Sequence, residues 1–412
     1  MRITRKLDGE YFKWSGPYWI LTVQFAARNG WRPTEGGSYF KDRIIESADA
    51  AAMADALERG LADIPAVGSV LHKIESMQSE PAVEVGKDYI ITQADLAGMN
   101  IFFSSGKHRL SLKDSKKEGE ETNVLVKVLG TAQDGGLPQI GCYCKNCLRA
   151  REDQRFSRLI SSLAIIDLEE KKYFILDATP DIRTQSDIAF NRLALRKQGR
   201  KNSPHGVLLT HAHIGHYTGL MFYGYEAVST HKMLVHCSSR MKSFLSGNGP
   251  WSQLVRLENI SIHTLSLEKE FLLTPRISFT PFLVPHRNEY TDTLGFIISG
   301  EKRKLLYVPD IQSWKAWSRS VVEETRKSDV ALLDGTFYSS EELPGRDLSK
   351  IGHPFIKTSL KTLKNVAEEG KTKIYFTHLN HTNLALDPGG EARKEIEEKG
   401  FGIASEGMEF FL

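Results

Sequence analysis

Cysteine is scarce in this chain, with four residues among 412. No spread, even-numbered framework of thiols is available, which excludes a disulfide-stapled secreted scaffold. No apolar run approaches the roughly 18 residues of a membrane span. The first sixteen residues are polar and charged and lack the apolar centre of a secretory signal. The expectation is a cytoplasmic protein with no membrane partner. Charge of one sign is not in excess either. Fifty-four basic against 51 acidic side chains leave a net +3, which gives no reason to expect a nucleic-acid partner. Internal repeats are absent. Gly135-Gly136 reads as a turn, and no phosphate-cradling glycine loop is present. What remains is an ordinary globular balance, 41% hydrophobic and 25% charged, long enough for two domains.

Residues 1–112 hold three of the six tryptophans (Trp14, Trp19, Trp31) and no cysteine. Ser47–Ile64 carries apolar residues at helical spacing behind a Ser or Asp cap, and predicts a helix. Tyr11–Ala26 alternates and predicts strands. Residues 113–123 open on a charged run, KDSKKEGEET, that can bury nothing and reads as a linker. From residue 124 to 412 the rhythm changes. Strands are predicted at Val124–Leu129, Leu163–Leu168, Tyr173–Leu176, Val207–Thr210, Met233–His236, Ile277–Leu283, Leu294–Ile298, Leu305–Val308, Val330–Leu333 and Lys373–Thr377. Helices are predicted at Pro180–Leu195, Lys357–Glu368 and Glu391–Glu398. This mixture implies a layered α/β or α+β domain behind a small N-terminal accessory domain of unknown role.

Histidine is where the chemistry concentrates. His211, His213 and His216 fall within six residues, directly after the apolar run Val207–Leu209. Three imidazoles on a strand-end loop can point into one cleft, and neutral imidazole suits zinc, iron and manganese. A polar loop with chance histidines is the plain alternative. Asp177, His286, Asp310 and His378 each stand where an apolar run ends, the way layered folds gather ligands from several strands. Singly, such an Asp is usually a turn or cap residue.

Three of the cysteines, Cys142, Cys144 and Cys147, lie within six residues. They need a fourth ligand to close a tetrahedral structural zinc, and His381, three residues after His378, is the candidate. A redox pair or free thiols are the alternatives. Cys237 stands alone after an apolar stretch and reads as a packing residue.

These motifs together resemble the metallo-β-lactamase fold superfamily. Leu129-Gly130-Thr131 before the cysteine cluster, Pro285-His286-Arg287, Tyr307-Val308-Pro309-Asp310, Asp334-Gly335-Thr336 and His378-Leu379-Asn380-His381 narrow the likeness. The branch is the one holding the pyrroloquinoline quinone biosynthesis B protein and the cyclic-phosphate phosphodiesterase of carbon–phosphorus lyase operons. The likeness spans about residues 124–412. It implies a four-layer αββα sandwich with a metal cleft at one edge. It implies that His211, His213 and His286 hold a first ion, and that His216, Asp310 and His378 contribute to a second, with Asp310 able to bridge. Asp177 would orient a histidine from behind, and the cysteines with His381 would hold structural zinc. One departure stands out. The superfamily pattern has an Asp directly before the third histidine, where this chain has Gly215. The second position then loses a ligand, which leaves open a single ion or a different second site.

Other polar residues are candidates for the cleft. Asp334 ends an apolar run, His353 lies on a loop within reach of substrate, and Arg287 can grip an anion. The plain readings are a turn aspartate, a surface histidine and a surface ion pair. Trp314 and Trp317 are placed on a helix, as core or lid aromatics. The first expectation for function is a hydrolase of a small ester, lactone or phosphodiester, using a metal-activated water, with Asp310 and His216 as catalytic residues. The ion would be zinc, manganese or iron. A non-haem iron oxygenase acting on an amino acid or peptide is the alternative, as the quinone-cofactor branch of the resemblance implies, and loss of a water-positioning carboxylate at Gly215 fits it. A non-catalytic metal-containing binding protein is the third. A small molecule or peptide is the expected partner, with a homodimer as one use of the N-terminal residues.

Overall fold

The structure is a computed structural model that describes residues 2–4, 13–15, 87–91, 101–105, 122–191, 203–348 and 351–412. The chain divides into two compact units, Met1–Lys116 and Lys117–Leu412. In the first unit, β1 (Arg2–Thr4) pairs antiparallel with β2 (Lys13–Ser15), and β3 (Lys87–Ile91) with β4 (Ile101–Ser105). The helix expected at Ser47–Ile64 and most of the charged linker lie outside the described residues. Of Tyr11–Ala26, the strand β2 alone is described.

The second unit contains two mixed seven-stranded sheets. The first comprises β5 (Val124–Gly130), β6 (Ser162–Asp167), β7 (Lys172–Leu176), β8 (Gly206–Leu208), β9 (Met233–Cys237) and β10 (Ile260–Thr264), with β18 (Glu409–Phe411) beside β5. The second runs in chain order through β11 (Phe271–Thr274), β12 (Ile277–Val284), β13 (Thr293–Ser299), β14 (Lys304–Val308), β15 (Val330–Asp334), β16 (Lys373–Thr377) and β17 (Gly402–Ile403).

Side-chain alternation along the strands makes the layers. Val124, Val126 and Val128 of β5 face the second sheet and pack in one core with Phe279, Phe296 and Leu332. Leu125 and Leu129 point the other way, into a core with Ile182, Met241 and Leu245 from helices. Leu306, Leu333 and Phe376 of the second sheet likewise meet Ile356, Leu360 and Ile396 on its outer face. The order is helix, sheet, sheet, helix: the four-layer αββα sandwich.

Pairing direction decides where the strands deliver their ends. β7 and β8 are parallel, and so are β14, β15 and β16. β5 reaches β7 through two antiparallel pairings, and β12 reaches β14 the same way. All seven therefore end at the same edge of their sheet. Hydrogen bonds from Leu294 N to Thr210 O and from Leu379 N to Thr131 O stitch the two sheets together at that edge.

Several elements depart from expectation. β8 stops at Leu208, because the Thr210 N–H is taken by the Asp177 carboxylate. The helix expected at Lys357–Glu368 is two, Ile356–Thr362 and Lys364–Glu369, broken at buried Leu363. Trp314 lies in a turn and Trp317 in the irregular segment after it, neither on a helix. Both are buried, their indole N–H groups donating to Ser359 Oγ and Leu283 O. The edge strands β10, β11 and β18 and the charged helix Lys145–Glu152 were not foreseen, since each buries only one or two side chains.

Candidate metal centre

Loops following β7, β8, β12, β14 and β16 carry Asp177, His211–His216, His286, Asp310 and His378 to one place. His211, His213, His286 and Asp310 each offer a ligand atom within 4.8 Å of the others. His213 Nδ1 stands 2.9 Å from His211 Nε2 and 3.1 Å from His286 Nε2. Asp310 Oδ2 lies 3.3 Å from His211 Nε2 and 3.1 Å from His286 Nε2. Ligands on one ion at about 2.0–2.2 Å stand about 2.9–3.5 Å apart in octahedral or tetrahedral geometry, so this spacing fits a single ion.

A second donor set lies alongside. Asp134 Oδ1 is 3.3 Å from His216 Nε2 and 3.9 Å from His378 Nε2. All three atoms are buried and none has a hydrogen-bond partner among the described residues. An unpaired buried polar atom costs about 1–3 kcal/mol, and three facing one another are the signature of a place for a cation. Asp310 Oδ2 reaches toward this set as well, 4.0 Å from His378 Nε2. The carboxylate thought to be missing beside Gly215 is thus matched in space by Asp134, from the turn after β5. Its only sequence sign is Asp134-Gly135-Gly136, which reads as a turn and nothing more.

The imidazoles are held from behind. His216 Nδ1 is 2.7 Å from Asp177 Oδ2, which leaves Nε2 free to face Asp134. Asp177 also accepts from Thr210 N and Oγ1, and the Thr210 oxygen lies 2.9 Å from His211 Nδ1. Thr336 Oγ1 does the same for His378, 3.0 Å from its Nδ1. The two threonines and Glu289, 3.4 Å from His213 Nε2, were not singled out from sequence. Thr210 directly precedes His211, but Thr336 adjoins no histidine in the sequence and meets His378 only in space. Asp177 and His378 both have left-handed backbones, φ 69° and 60°, a strain that clusters at functional sites.

Asp334 is both turn residue and site residue. Its carboxylate accepts from Ile311 N and Thr336 N and lies 2.8 Å from His353 Nδ1. His353 is no surface histidine: its side chain is 12% exposed and its Nδ1 is 3.4 Å from Asp310 Oδ1. Arg287 is at the rim, exposed, with Glu289 and His213 within reach of its guanidinium.

The charges follow the geometry. Burial resists ionisation of Asp310, but His286 and His353 outweigh it and hold its carboxyl well below the usual range. Asp134 is held down in the same way, burial being overcome by His216 and His378. Burial, then the His216 charge, keeps His211 well below the ordinary imidazole value. His353 is pushed up to about 9, since Asp334 and Asp310 outweigh its burial.

The cysteine cluster forms a separate donor set. Cys142, Cys144 and Cys147 sulfurs lie 3.4, 3.5 and 3.6 Å from His381 Nδ1. A tetrahedral zinc with Zn–S of about 2.3 Å and Zn–N of about 2.0–2.1 Å places S and N about 3.5 Å apart. Burial lowers the His381 pKa, which keeps its nitrogen free to ligate. Cys237 is buried in the core beneath the first sheet.

Comparison with known proteins agrees with this architecture. A family model described as "Beta-lactamase superfamily domain" matches residues 172–379, half of the chain. Coenzyme PQQ synthesis protein B of Methylococcus capsulatus is 28% identical over 315 residues, 70% of this chain and all of the relative. That of Azotobacter vinelandii is 28% identical over 310 residues, 70% of this chain and 99% of the relative. Among solved structures, Zn(2+)-bound PqqB from Methylobacterium extorquens superposes with a TM-score of 0.60 at 24% identity, covering 70% of this chain and all of that one. A diphosphatase from the PhnP family gives 0.50 at 21%, covering 70% and 96%. The chain belongs to the beta-lactamase superfamily, and within it resembles the coenzyme PQQ synthesis B proteins.

Proposed function

We propose that the protein is a metal-dependent hydrolase of a small ester, lactone or phosphodiester. One observation carries the reading: a single oxygen, Asp310 Oδ2, lies within 4.0 Å of imidazole nitrogens from both donor sets. A carboxylate so placed can bridge a pair of divalent ions, zinc, manganese or iron. His211, His213 and His286 would hold one, His216 and His378 the other. Such ions supply Lewis acidity and make water a nucleophile near neutral pH.

The protein's own residues do the rest. Asp177 and the two threonines fix the imidazoles, so their ligand atoms are set before substrate arrives. Asp334 and Asp310 clamp His353 beside the centre. His353 also borders a cavity of about 600 Å³ with Trp314 and Phe355, room for a small substrate or its leaving group. Arg287 at the rim can meet an anionic substrate group, which favours a phosphodiester. The diphosphatase among the structural neighbours shares the fold and is consistent with this class. Cys142, Cys144, Cys147 and His381 are assigned a structural zinc. The iron-oxygenase reading has two supports, the likeness to the coenzyme PQQ synthesis B proteins and the carboxylate lacking at Gly215; Asp134 answers the second and leaves the first.

The test is turnover of activated esters and phosphodiesters in anaerobic buffer by zinc- or manganese-loaded protein. Hydrolysis that survives without oxygen and is lost in Asp310→Asn supports the proposal. Oxygen consumption with ferrous iron and no hydrolysis would overturn it.

A further inference from the structure

We propose that Asp134 is the carboxylate ligand of the second ion, relocated to the turn after β5, and that Gly215 is the condition for its being there. The proposal rests on the metal-centre reading above and adds a ligand to it.

Gly215 directly precedes His216, and a Cβ placed on it would stand 2.2 Å from Asp134 Oδ1, 2.7 Å from Asp134 Cα and 3.0 Å from Cγ. The space that a side chain at 215 would enter is therefore already filled by Asp134, by its carboxylate and its Cα together. The same carboxylate oxygen is the one that faces His216 Nε2 and His378 Nε2. A side chain at 215 and Asp134 in its present place exclude one another. The charge of the second position is kept while its source moves from one loop to another.

The turn is held to the same loop that carries His378. Gln133 N donates to Leu379 O, and the Gln133 side chain accepts from Asn380 Nδ2. Gly136 N closes the turn onto Gln133 O, and Gly136 takes the left-handed backbone that the turn requires. The Asp134–His378 distance is thus fixed by backbone bonds between their own neighbours. A few residues on, the cysteines gather around His381, so the donor set of the structural zinc ties these two chain segments together a second time.

The experiment is metal titration by elemental analysis and chelator competition, with manganese EPR to distinguish a coupled pair from a lone ion. Wild type is compared with Asp134→Asn and Gly215→Ala. Asp134→Asn is expected to weaken the second ion by more than about 100-fold, since supporting residues alone cost about 10–100-fold. It should abolish the coupled signal and leave the first ion and the cysteine-held zinc in place. Gly215→Ala should also lose the second ion, since its Cβ would stand 2.2 Å from Asp134 Oδ1 and 2.7 Å from Asp134 Cα and so displace the carboxylate. It decides the matter if Asp134→Asn fails to fold. Full, coupled occupancy in Asp134→Asn or in Gly215→Ala overturns this proposal while leaving the metal centre standing. A wild type that takes up only the cysteine-held ion overturns both.

Discussion

Asp177→Asn removes one negative charge and keeps nearly the same shape. The position has φ 69°, a conformation Asn tolerates, so the backbone is not the variable. Asp177 now accepts from Thr210 N at 2.8 Å and faces His216 Nδ1 at 2.7 Å. An asparagine can keep the first contact with its oxygen, but then presents N–H to a ring nitrogen that carries its own proton. Either the pair is broken or His216 moves its proton to Nε2, the atom that faces Asp134. In both cases Nε2 is a poorer ligand. A buried hydrogen bond to a charged group contributes about 1.5–3 kcal/mol. At about 1.4 kcal/mol per decade, that range is roughly 10–150-fold, which agrees with the 10–100-fold typical for residues behind a metal ligand. Chelator competition should therefore show the second ion weakened by about 10–100-fold, with the cysteine-held ion unaffected. A variant with unchanged circular dichroism and less than about threefold loss would refute the argument that Asp177 sets the His216 tautomer.

Three further outcomes are expected. His381→Ala should release one zinc per chain and lower stability by more than about 2 kcal/mol, measured by elemental analysis and denaturant unfolding. Phe282→Ala empties a fully buried site beside Trp317 and should cost about 3–5 kcal/mol, with metal content unchanged below the unfolding transition. Burial pushes the Glu342 carboxyl from its ordinary 4.5 up to about 7. Between those values the folded protein holds a proton that the unfolded chain releases, so stability falls as pH rises through this window, by at most about 1.4 kcal/mol per unit. Urea unfolding of Glu342→Gln at several pH values should show that slope reduced.

The inner strands and most of the centre were legible in the sequence because each leaves a local mark. A strand buried on both faces is a short apolar run, as in Val124–Gly130 and Val330–Asp334, and a residue closing such a run is delivered to the sheet edge. His286, Asp310 and His378 could be picked that way, far apart in the chain and adjacent in space. Edge strands such as Ile260–Thr264 alternate with exposed residues and leave a weaker trace. Asp134 was illegible for a different reason. Its role depends on His216 and His378, 82 and 244 residues further along the chain, and an Asp before two glycines carries the local signature of a turn. Thr210 and Thr336 were hidden similarly, since a hydroxyl supporting an imidazole differs from any other threonine only in three dimensions.

The central claim is that the histidines and carboxylates at the sheet edge bind metal ions separate from the cysteine cluster. Elemental analysis of wild type and His211→Ala/His213→Ala, each metal-loaded and dialysed, tests it most directly. The account predicts that the variant keeps the cysteine-held zinc and loses metal that wild type retains. Equal metal content in the two proteins, with nothing beyond the cysteine-held ion in either, would contradict it.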